Sequence, residues 1–287
     1  MAEAANMSFG KSVVDVIRAR KSIRTYRSDP IPDDLLDKIS DYISGIEGPF
    51  PVPIRFQLVS AVPGEPGSVE PGASAIKGAL TYLAAAVRNE GRCYEQLGYA
   101  MEKAILFITS LGLGTCWLGG TFNRTSFERA LGVLPEEILP CVTPIGFPAE
   151  KKGLIDALIR KGASSHKREP WSAMFFRDRF GSPLTPEDAG PYAEPFEMLR
   201  LSPSASNKQP WRVAMVGGRC HVYLQRTPGY PKFTHHDIQR IDPGIAMCHF
   251  ELTARECGLR GHWAMVKPIV ENTPMGIEYI ASWVPDK

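Results

Sequence analysis

Two arginines and a serine at alternate positions could together bind an anion. Arg20, Ser22 and Arg24 occupy positions i, i+2 and i+4, and in an extended segment this spacing points all three side chains to one face. Two guanidinium groups and a hydroxyl on one face suit a dianionic phosphate, which accepts bidentate, charge-assisted hydrogen bonds. The alternative interpretation is a solvated basic loop after a helix, because a helix C-terminus favours cations in any case.

Two further segments have compositions suited to a flat, polar ligand. Residues 202–211 read SPSASNKQPW, a proline-bounded turn with short hydroxyl and amide side chains. Residues 117–120 read WLGG, and glycine allows a backbone to approach a flat ring closely. Simpler alternatives stay open, because serine and asparagine side chains often bond their own backbone and paired glycines can form an ordinary turn.

The elements that position these residues come from an internal repeat. Residues 98–117 and 244–263 align at an offset of 146, and seven of the 20 aligned positions are identical, among them Gly98/Gly244, Gly112/Gly258 and Trp117/Trp263. Each segment predicts an apolar-periodic helix that stops at a glycine and is followed by a short strand ending in tryptophan. We interpret the repeat as a duplication, because two unrelated amphipathic helices would not normally keep these glycines and the tryptophan in register.

A second match extends the repeat. Residues 52–59 align with residues 209–216 at an offset of 157 and share Pro53/Pro210, Arg55/Arg212 and Val59/Val216. Each copy is therefore predicted as helix, helix, strand, strand, long helix, strand and a final strand. The pattern predicts an α+β fold of two fused copies, a pseudo-dimer whose two long helices pack at a pseudo-twofold axis. Copy one is assigned to residues 1–165, a linker rich in charge, proline and aromatic residues to 166–190, and a shorter copy two to 191–287.

The two copies differ in the residues that could bind a ligand. The hydroxyls and the asparagine of residues 202–211 have no counterpart in residues 45–54, where Glu47 would instead add negative charge. Residues 177–181, which we align with residues 20–24, lack the serine and the final arginine. We therefore expect one composite site, made from both copies, and a degenerate twin.

Taken together, these segments resemble a known family. Residues 20–24 (RKSIR), 112–120 (GLGTCWLGG) and 202–211 resemble the signature segments of the FMN-dependent nitroreductases, in the order that this family uses. The resemblance covers essentially the whole chain, and its closest form is a duplicated single chain that resembles the family's usual homodimer. It implies a nitroreductase-like fold. It also implies an oxidoreductase that passes hydride from NADH or NADPH through FMN to a small-molecule electron acceptor, such as a nitroaromatic compound or a quinone. The alternative function is a flavin-binding carrier or sensor without turnover.

The resemblance also implies roles for individual residues. The phosphate end of FMN would lie near four basic or hydroxyl residues, namely Arg20, Lys21, Ser22 and Arg168, and the N1 edge of the flavin near Arg24. The second copy would cover the ring and the ribityl chain with Pro203, Ser204, Ala205 and Asn207. The residues along the ring would be Trp117, Leu118, Gly119 and Gly120, with the Gly119 N–H donating to flavin N5. Because the cofactor carries the chemistry, no catalytic side chain is expected.

Composition and spacing argue against several other classes of protein. Lys and Arg number 33 against 31 Asp and Glu, so we expect no nucleic-acid partner. The longest apolar stretch, residues 79–87, is too short to span a membrane, and the first residues lack an apolar core, so we expect neither a membrane segment nor a signal peptide. Six cysteines without CxxC spacing predict reduced, mostly buried thiols in a cytoplasmic protein. No metal site is expected, because adjacent residues such as His235, His236 and Asp237 rarely share one tetrahedral ion.

Three expectations concern packing and assembly. His249 and Glu251 replace apolar positions on the second long helix, and we expect them to make an interhelical polar contact. Residues 60–78, rich in glycine and proline, form either a lid over the ring or a disordered excursion. Because one chain supplies every part of the site, a monomer is sufficient and a larger assembly is not required.

Overall fold

The first half of the chain folds into a five-stranded sheet with helices packed on both faces. The computed structural model describes residues 9–72, 76–150, 167–230 and 236–286. The elements of the first half are α1 (Val13–Ala19), α2 (Asp33–Ser44), β1 (Ile54–Ser60), β2 (Thr81–Arg88), α3 (Cys93–Ser110), β3 (Gly114–Thr115), α4 (Arg124–Leu131), β4 (Glu137–Ile138) and β5 (Val142–Gly146). The strands follow the order β1-β2-β5-β3, and β4 pairs with β2.

The second half forms another five-stranded sheet around a second long helix. Its elements are α5 (Trp171–Met174), β6 (Phe175–Arg177), α6 (Pro186–Ala189), α7 (Ala193–Arg200), β7 (Trp211–Val216), β8 (Arg219–Gln225), α8 (Ile241–Glu256), β9 (Gly261–Ala264) and β10 (Ile277–Pro285). The strand order is β6-β7-β8-β10-β9. Apart from β4 and β6, both sheets have the same order, and every shared pairing is antiparallel. The prediction of an α+β fold is confirmed.

The two long helices, α3 and α8, pack against each other at a pair of glycines. A Cβ atom on Gly98 would overlap the backbone carbonyl oxygen of Ile241, and a Cβ atom on Gly244 would overlap that of Glu95. The contact is reciprocal, because Gly244 lies 146 positions after Gly98 in the sequence, and Ile241 lies 146 positions after Glu95. Such self-complementarity is the property of a twofold interface. Both helices also end as predicted, because Gly112 and Gly258 adopt φ angles of 83° and 77°, which favour glycine.

The first sheet is buried on both faces. In β2, Leu83, Ala85 and Val87 face the central helices, whereas Tyr82, Ala84 and Ala86 face a second apolar cluster that includes Phe127 of α4. This alternation follows from the period of two in a strand.

Val69 connects residues 60–72 to this second cluster. Its side chain is 3% exposed, and its N–H donates to the Ser60 carbonyl at 2.8 Å. The alternative of a disordered excursion is therefore wrong for the described residues of 60–78, which cover the outer face of the sheet; residues 73–75 lie outside the described ranges.

The segment that we expected to be a linker contributes to the second sheet. Its described residues contain α5, β6 and α6, and β6 pairs in parallel with β7 through Arg177 and Met215. Ser22, by contrast, pairs in parallel with Thr115 of β3, at the opposite edge of the first sheet. Residues 177–181 are thus not the structural counterpart of residues 20–24, and that alignment is wrong. It rested on a few charged residues, which carry no periodicity to define a register. The boundary at residue 165 lies outside the described residues and stays a prediction.

The glycine contact predicts a strong, position-specific loss of stability. Gly98→Ala adds a methyl group that overlaps a backbone atom of α8, so one helix must shift, and overpacking of this kind costs about 2 kcal/mol or more. Gly45→Ala is the matched control, since its Cβ would lie 3.9 Å from the nearest atom, the Tyr42 carbonyl oxygen. Urea unfolding of both variants measures the difference. Equal unfolding midpoints would contradict the close backbone contact.

Candidate functional site

The basic segment after α1 is extended and lies beside β3. Helix α1 is anchored at its start, because Glu256 at the end of α8 accepts hydrogen bonds from the Ser12 hydroxyl at 2.7 Å and from the Val13 N–H at 2.5 Å. After Arg20 the Ile23 N–H donates to the Thr115 carbonyl at 2.8 Å. The Lys77 N–H donates to the Arg24 carbonyl, also at 2.8 Å. The predicted extended conformation of residues 20–24 is confirmed.

A buried carboxylate, Glu102 of α3, connects this segment to residues 117–120. The Arg20 side chain is 7% exposed, and its Nε atom lies 3.7 Å from Glu102 Oε1. Trp117 Nε1 donates to Glu102 Oε2 at 2.7 Å, and His249 Nε2 lies 2.8 Å from Glu102 Oε1. The expected interhelical polar contacts are confirmed, since Glu251 also accepts a hydrogen bond from the Tyr99 hydroxyl at 2.8 Å.

Residues 202–209 form a strained loop before β7. Ser206, Asn207 and Gln209 have φ angles of 49°, 55° and 48°, and non-glycine residues rarely adopt this region outside sites that over-determine it. The Ser204 hydroxyl accepts from the Gln209 N–H at 2.9 Å, and Asn207 Nδ2 donates to the Lys167 carbonyl at 3.0 Å. The interpretation that these side chains bond their own backbone is confirmed for Ser204, whereas Asn207 bonds residues 167 and 168, which lie outside the loop.

Arg168 links the strained loop to Arg20. Its guanidinium donates to Asn207 Oδ1 and to the Leu201 carbonyl, both at 3.1 Å. Burial, together with the positive charges of Arg20 and Arg200, lowers the pKa of Arg168 to about 10. The strained loop thus contacts half-buried Arg168, and the positive charge of Arg20 acts on Arg168; neighbouring cations of this kind attract an anion.

Gly119 and Ala205 approach the same turn at the start of α8. Leu118 exchanges two backbone hydrogen bonds of 3.0 Å with Val142, which places Gly119 at the end of that pairing. A Cβ atom on Gly119 would lie 3.5 Å from the Ile238 side chain. The Ala205 N–H donates to Asp242 Oδ1 at 3.0 Å, one helical turn after Ile238. Within the described part of the chain, the Gly119 N–H makes no backbone–backbone hydrogen bond.

The remaining predicted site residues differ in exposure. Leu118 is buried, Trp117 and Pro203 are half-buried, and Lys21 and Gly120 are exposed.

Sequence reasoning missed two buried acids, Glu102 and Asp242. Both are essentially inaccessible, and burial raises the pKa of Asp242 well above its usual range. A signal was present, because Glu102 falls between Met101 and Ile105 in the apolar stripe of α3. A charged residue in such a stripe must find a buried partner.

The structure also describes the potential metal ligands, the cysteines and the lengths of the helices. The described residues contain no group of three or more His, Cys, Asp or Glu side chains that could hold a metal ion, and His235 lies outside them. Five cysteines are buried, Cys257 is exposed, and all six are free thiols. Across the described ranges, no helix has the length and apolar character needed to cross a membrane.

Comparisons with known proteins agree on one family. Residues 12–254 match the sequence model of the family described as "Putative TM nitroreductase". A curated relative from Methanothermobacter thermautotrophicus, named "Putative NADH dehydrogenase/NAD(P)H nitroreductase", is 29% identical over 161 residues, which cover 50% of this chain and 81% of the relative.

Two solved structures also match this chain. A structure from Thermotoga maritima, called a putative nitroreductase, superposes with a TM-score of 0.59 at 20% identity and covers 95% of this chain and 93% of its own, so the two share a fold. A Clostridium difficile protein named "FMN-dependent Nitroreductase" has a TM-score of 0.36 at 20% identity and covers 48% of this chain and 88% of its own.

The raised pKa of Asp242 predicts a pH-dependent contribution to stability. The folded state keeps a proton that an unfolded aspartate releases above about pH 4, so this group makes the protein less stable as pH rises. Asp242→Asn keeps an oxygen for the Ala205 N–H but cannot ionise. We expect the stability of the variant, relative to the native protein, to improve between pH 5 and pH 8 in urea unfolding. Asp188→Asn, at the surface, is the control, and parallel pH profiles of Asp242→Asn and the native protein would contradict the assignment.

Proposed function

The chain belongs to the family described as "Putative TM nitroreductase", and from that premise we propose that it is an FMN-dependent oxidoreductase. In this proposal FMN, when bound, takes hydride from NADH or NADPH and delivers it to a small electrophilic acceptor, such as a nitroaromatic compound or a quinone. The observation that carries the proposal is the meeting of Arg20, Arg168 and the strained loop 202–209 at one buried, cationic position.

The residues at this position fit a phosphate group. Arg20 Nε is buried and has no hydrogen-bond partner among the described residues. A dianion placed here would accept charge-assisted hydrogen bonds from Arg20 and Arg168 and would reduce the repulsion between them. In the proposal these residues and Ser22 hold the FMN phosphate, with Lys21 at the exposed rim.

The ring end of the site fits a flat ligand. Gly119 leaves the space beside Ile238 free of a side chain, and its N–H is available to donate toward the N5 atom of a bound flavin. The cationic side chain of Arg24 would lie at the N1 edge, and residues 203–207 would cover the ring and the ribityl chain. The chain therefore binds, orients and tunes the cofactor, and no side chain is proposed as a catalytic group.

The proposal includes two fused copies that share one site. Common strand order and the reciprocal glycine contact of α3 with α8 support the duplication. A third equivalence is polar. Gln96 of α3 accepts a hydrogen bond from the Phe50 N–H at 3.0 Å. Asp242, 146 positions later in α8, accepts one from the Ala205 N–H, also at 3.0 Å.

The twin position is filled by the chain itself. A Cβ atom on Gly48 would overlap the Gln96 side chain, so loop 45–54 packs directly on α3. Arg92 is the counterpart of Ile238 at the repeat offset of 146 positions. It pairs with Glu95 at 3.1 Å and with Glu278 at 3.5 Å. Among the described residues these contacts neutralise Arg92, and in the proposal one chain supplies a single complete site. A monomer is therefore sufficient for binding.

Titration of the purified protein with FMN, followed by anaerobic addition of NADPH or NADH, tests the proposed function. We expect one FMN per chain and rapid bleaching of the bound flavin by one of the two nucleotides. Failure to take up FMN would contradict the function, and two equivalents per chain would contradict the closed twin site. Uptake without bleaching would favour a carrier or sensor.

The phosphate position predicts the effect of Arg20→Ala. Removing a buried guanidinium that binds a charged ligand costs about 2–3 kcal/mol of binding free energy. We therefore expect FMN to bind roughly 30–150-fold more weakly. Arg18→Ala is the matched control, because Arg18 lies two residues before Arg20, in α1, but its side chain is 53% exposed and pairs with Glu194 at the surface. Quenching of flavin fluorescence measures both affinities. An unchanged affinity in Arg20→Ala would place the phosphate elsewhere.

A further inference from the structure

We propose that Glu102 is a positioning residue for the flavin site, an inference that rests on the function proposed above. Glu102 lies in the middle of α3 and is fully buried. Its two carboxylate oxygens face Arg20 and Trp117, which belong to the proposed phosphate end and ring end of the site. One side chain thus sets the separation of the two ends.

The hydrogen bonds around His249 complete the surroundings of the Glu102 carboxylate. His249 Nδ1 lies 3.0 Å from the Met198 carbonyl, which can only accept, so Nδ1 carries a hydrogen. One proton then lies between His249 Nε2 and Glu102 Oε1, which are 2.8 Å apart. The Trp117 N–H donates to Oε2 and the Arg20 guanidinium lies near Oε1, so each carboxylate oxygen faces a donor.

The ionised carboxylate acts on Arg20. Arg20 and Arg168 are close enough for the charge of one to lower the pKa of the other, so Arg20 is repelled from the position at which both would bind a phosphate. The attraction of Glu102 over 3.7 Å opposes this repulsion. Among the described residues, no other carboxylate forms an ion pair with Arg20. Glu102 therefore keeps the guanidinium in the binding position before the ligand arrives.

Glu102→Gln separates this effect from a general loss of structure. The glutamine oxygen can still accept from Trp117, and its amide can donate to a neutral His249, but the attraction to Arg20 is lost. FMN and riboflavin differ only in the phosphate. We expect the variant to bind FMN about tenfold more weakly and riboflavin within twofold of the native protein, both measured by flavin fluorescence. Glu251→Gln is the matched control, because Glu251 makes a comparable contact between the same two helices with Tyr99 and should change neither affinity.

A double-mutant cycle completes the test. If Glu102 acts through Arg20, Glu102→Gln should have no further effect on the ratio of FMN to riboflavin affinity in an Arg20→Ala background. An equal loss for both flavins, or an unchanged FMN affinity, would overturn the proposal. If Glu102→Gln does not fold, the same ratio is measured on Glu102→Asp, whose shorter side chain draws the carboxylate away from Arg20. Failure of the native protein to bind FMN would instead refute the proposed function.

Discussion

The close approach of two helices at Gly98 and Gly244 is the contact on which the rest of the molecule depends. Because neither residue has a side chain, the backbones of α3 and α8 touch directly, and each half of the chain contributes the helix that completes the core of the other. The same approach brings Glu102 within hydrogen-bond distance of His249. A wider spacing would leave that buried carboxylate without its partner, which proteins tolerate poorly.

The crossing of these helices also decides where ligand-binding groups can meet. The N-terminal turn of α8 comes next to Gly119 through Ile238 and next to Ala205 through Asp242. Segments more than 80 residues apart in the chain therefore flank a single turn. Arg168 contacts Asn207 in the loop whose backbone is strained at Ser206 and Asn207, and the charge of Arg20 acts on Arg168. Features of this kind lower stability and persist where function requires them.

The two halves show how similar topology can carry different chemistry. Both sheets use the same order of antiparallel strands, yet the loop before β7 is polar and strained whereas the loop before β1 packs on Gln96. Near the twin position, Arg92 and Arg240 each form ion pairs with Glu95 and Glu278. Because the carboxylates of Glu95 and Glu278 neutralise these two arginines, the position attracts an anion only weakly. The asymmetry thus lies in loops and side chains, and the arrangement of the strands is unaffected.

The sequence by itself determined the features that depend on local periodicity. The apolar repeat of residues 98–117 and 244–263, with glycines at Gly112 and Gly258, predicted both long helices and their ends. The alternation of residues 20, 22 and 24 predicted an extended segment, which the pairing of Ser22 with Thr115 confirms. These are properties of neighbouring residues, so they can be recognised without knowledge of the partner.

Only the tertiary structure decided the partners of buried charges and the pairing of isolated strands. Glu102 meets Arg20, Trp117 and His249 because α3 and α8 cross where they do, and β6 joins β7 across 33 intervening residues, between Arg177 and Trp211. Residues 60–72 pack on α4 for the same reason. Such contacts join residues far apart in the chain, and their geometry follows from how whole elements pack, which no local pattern of residues encodes.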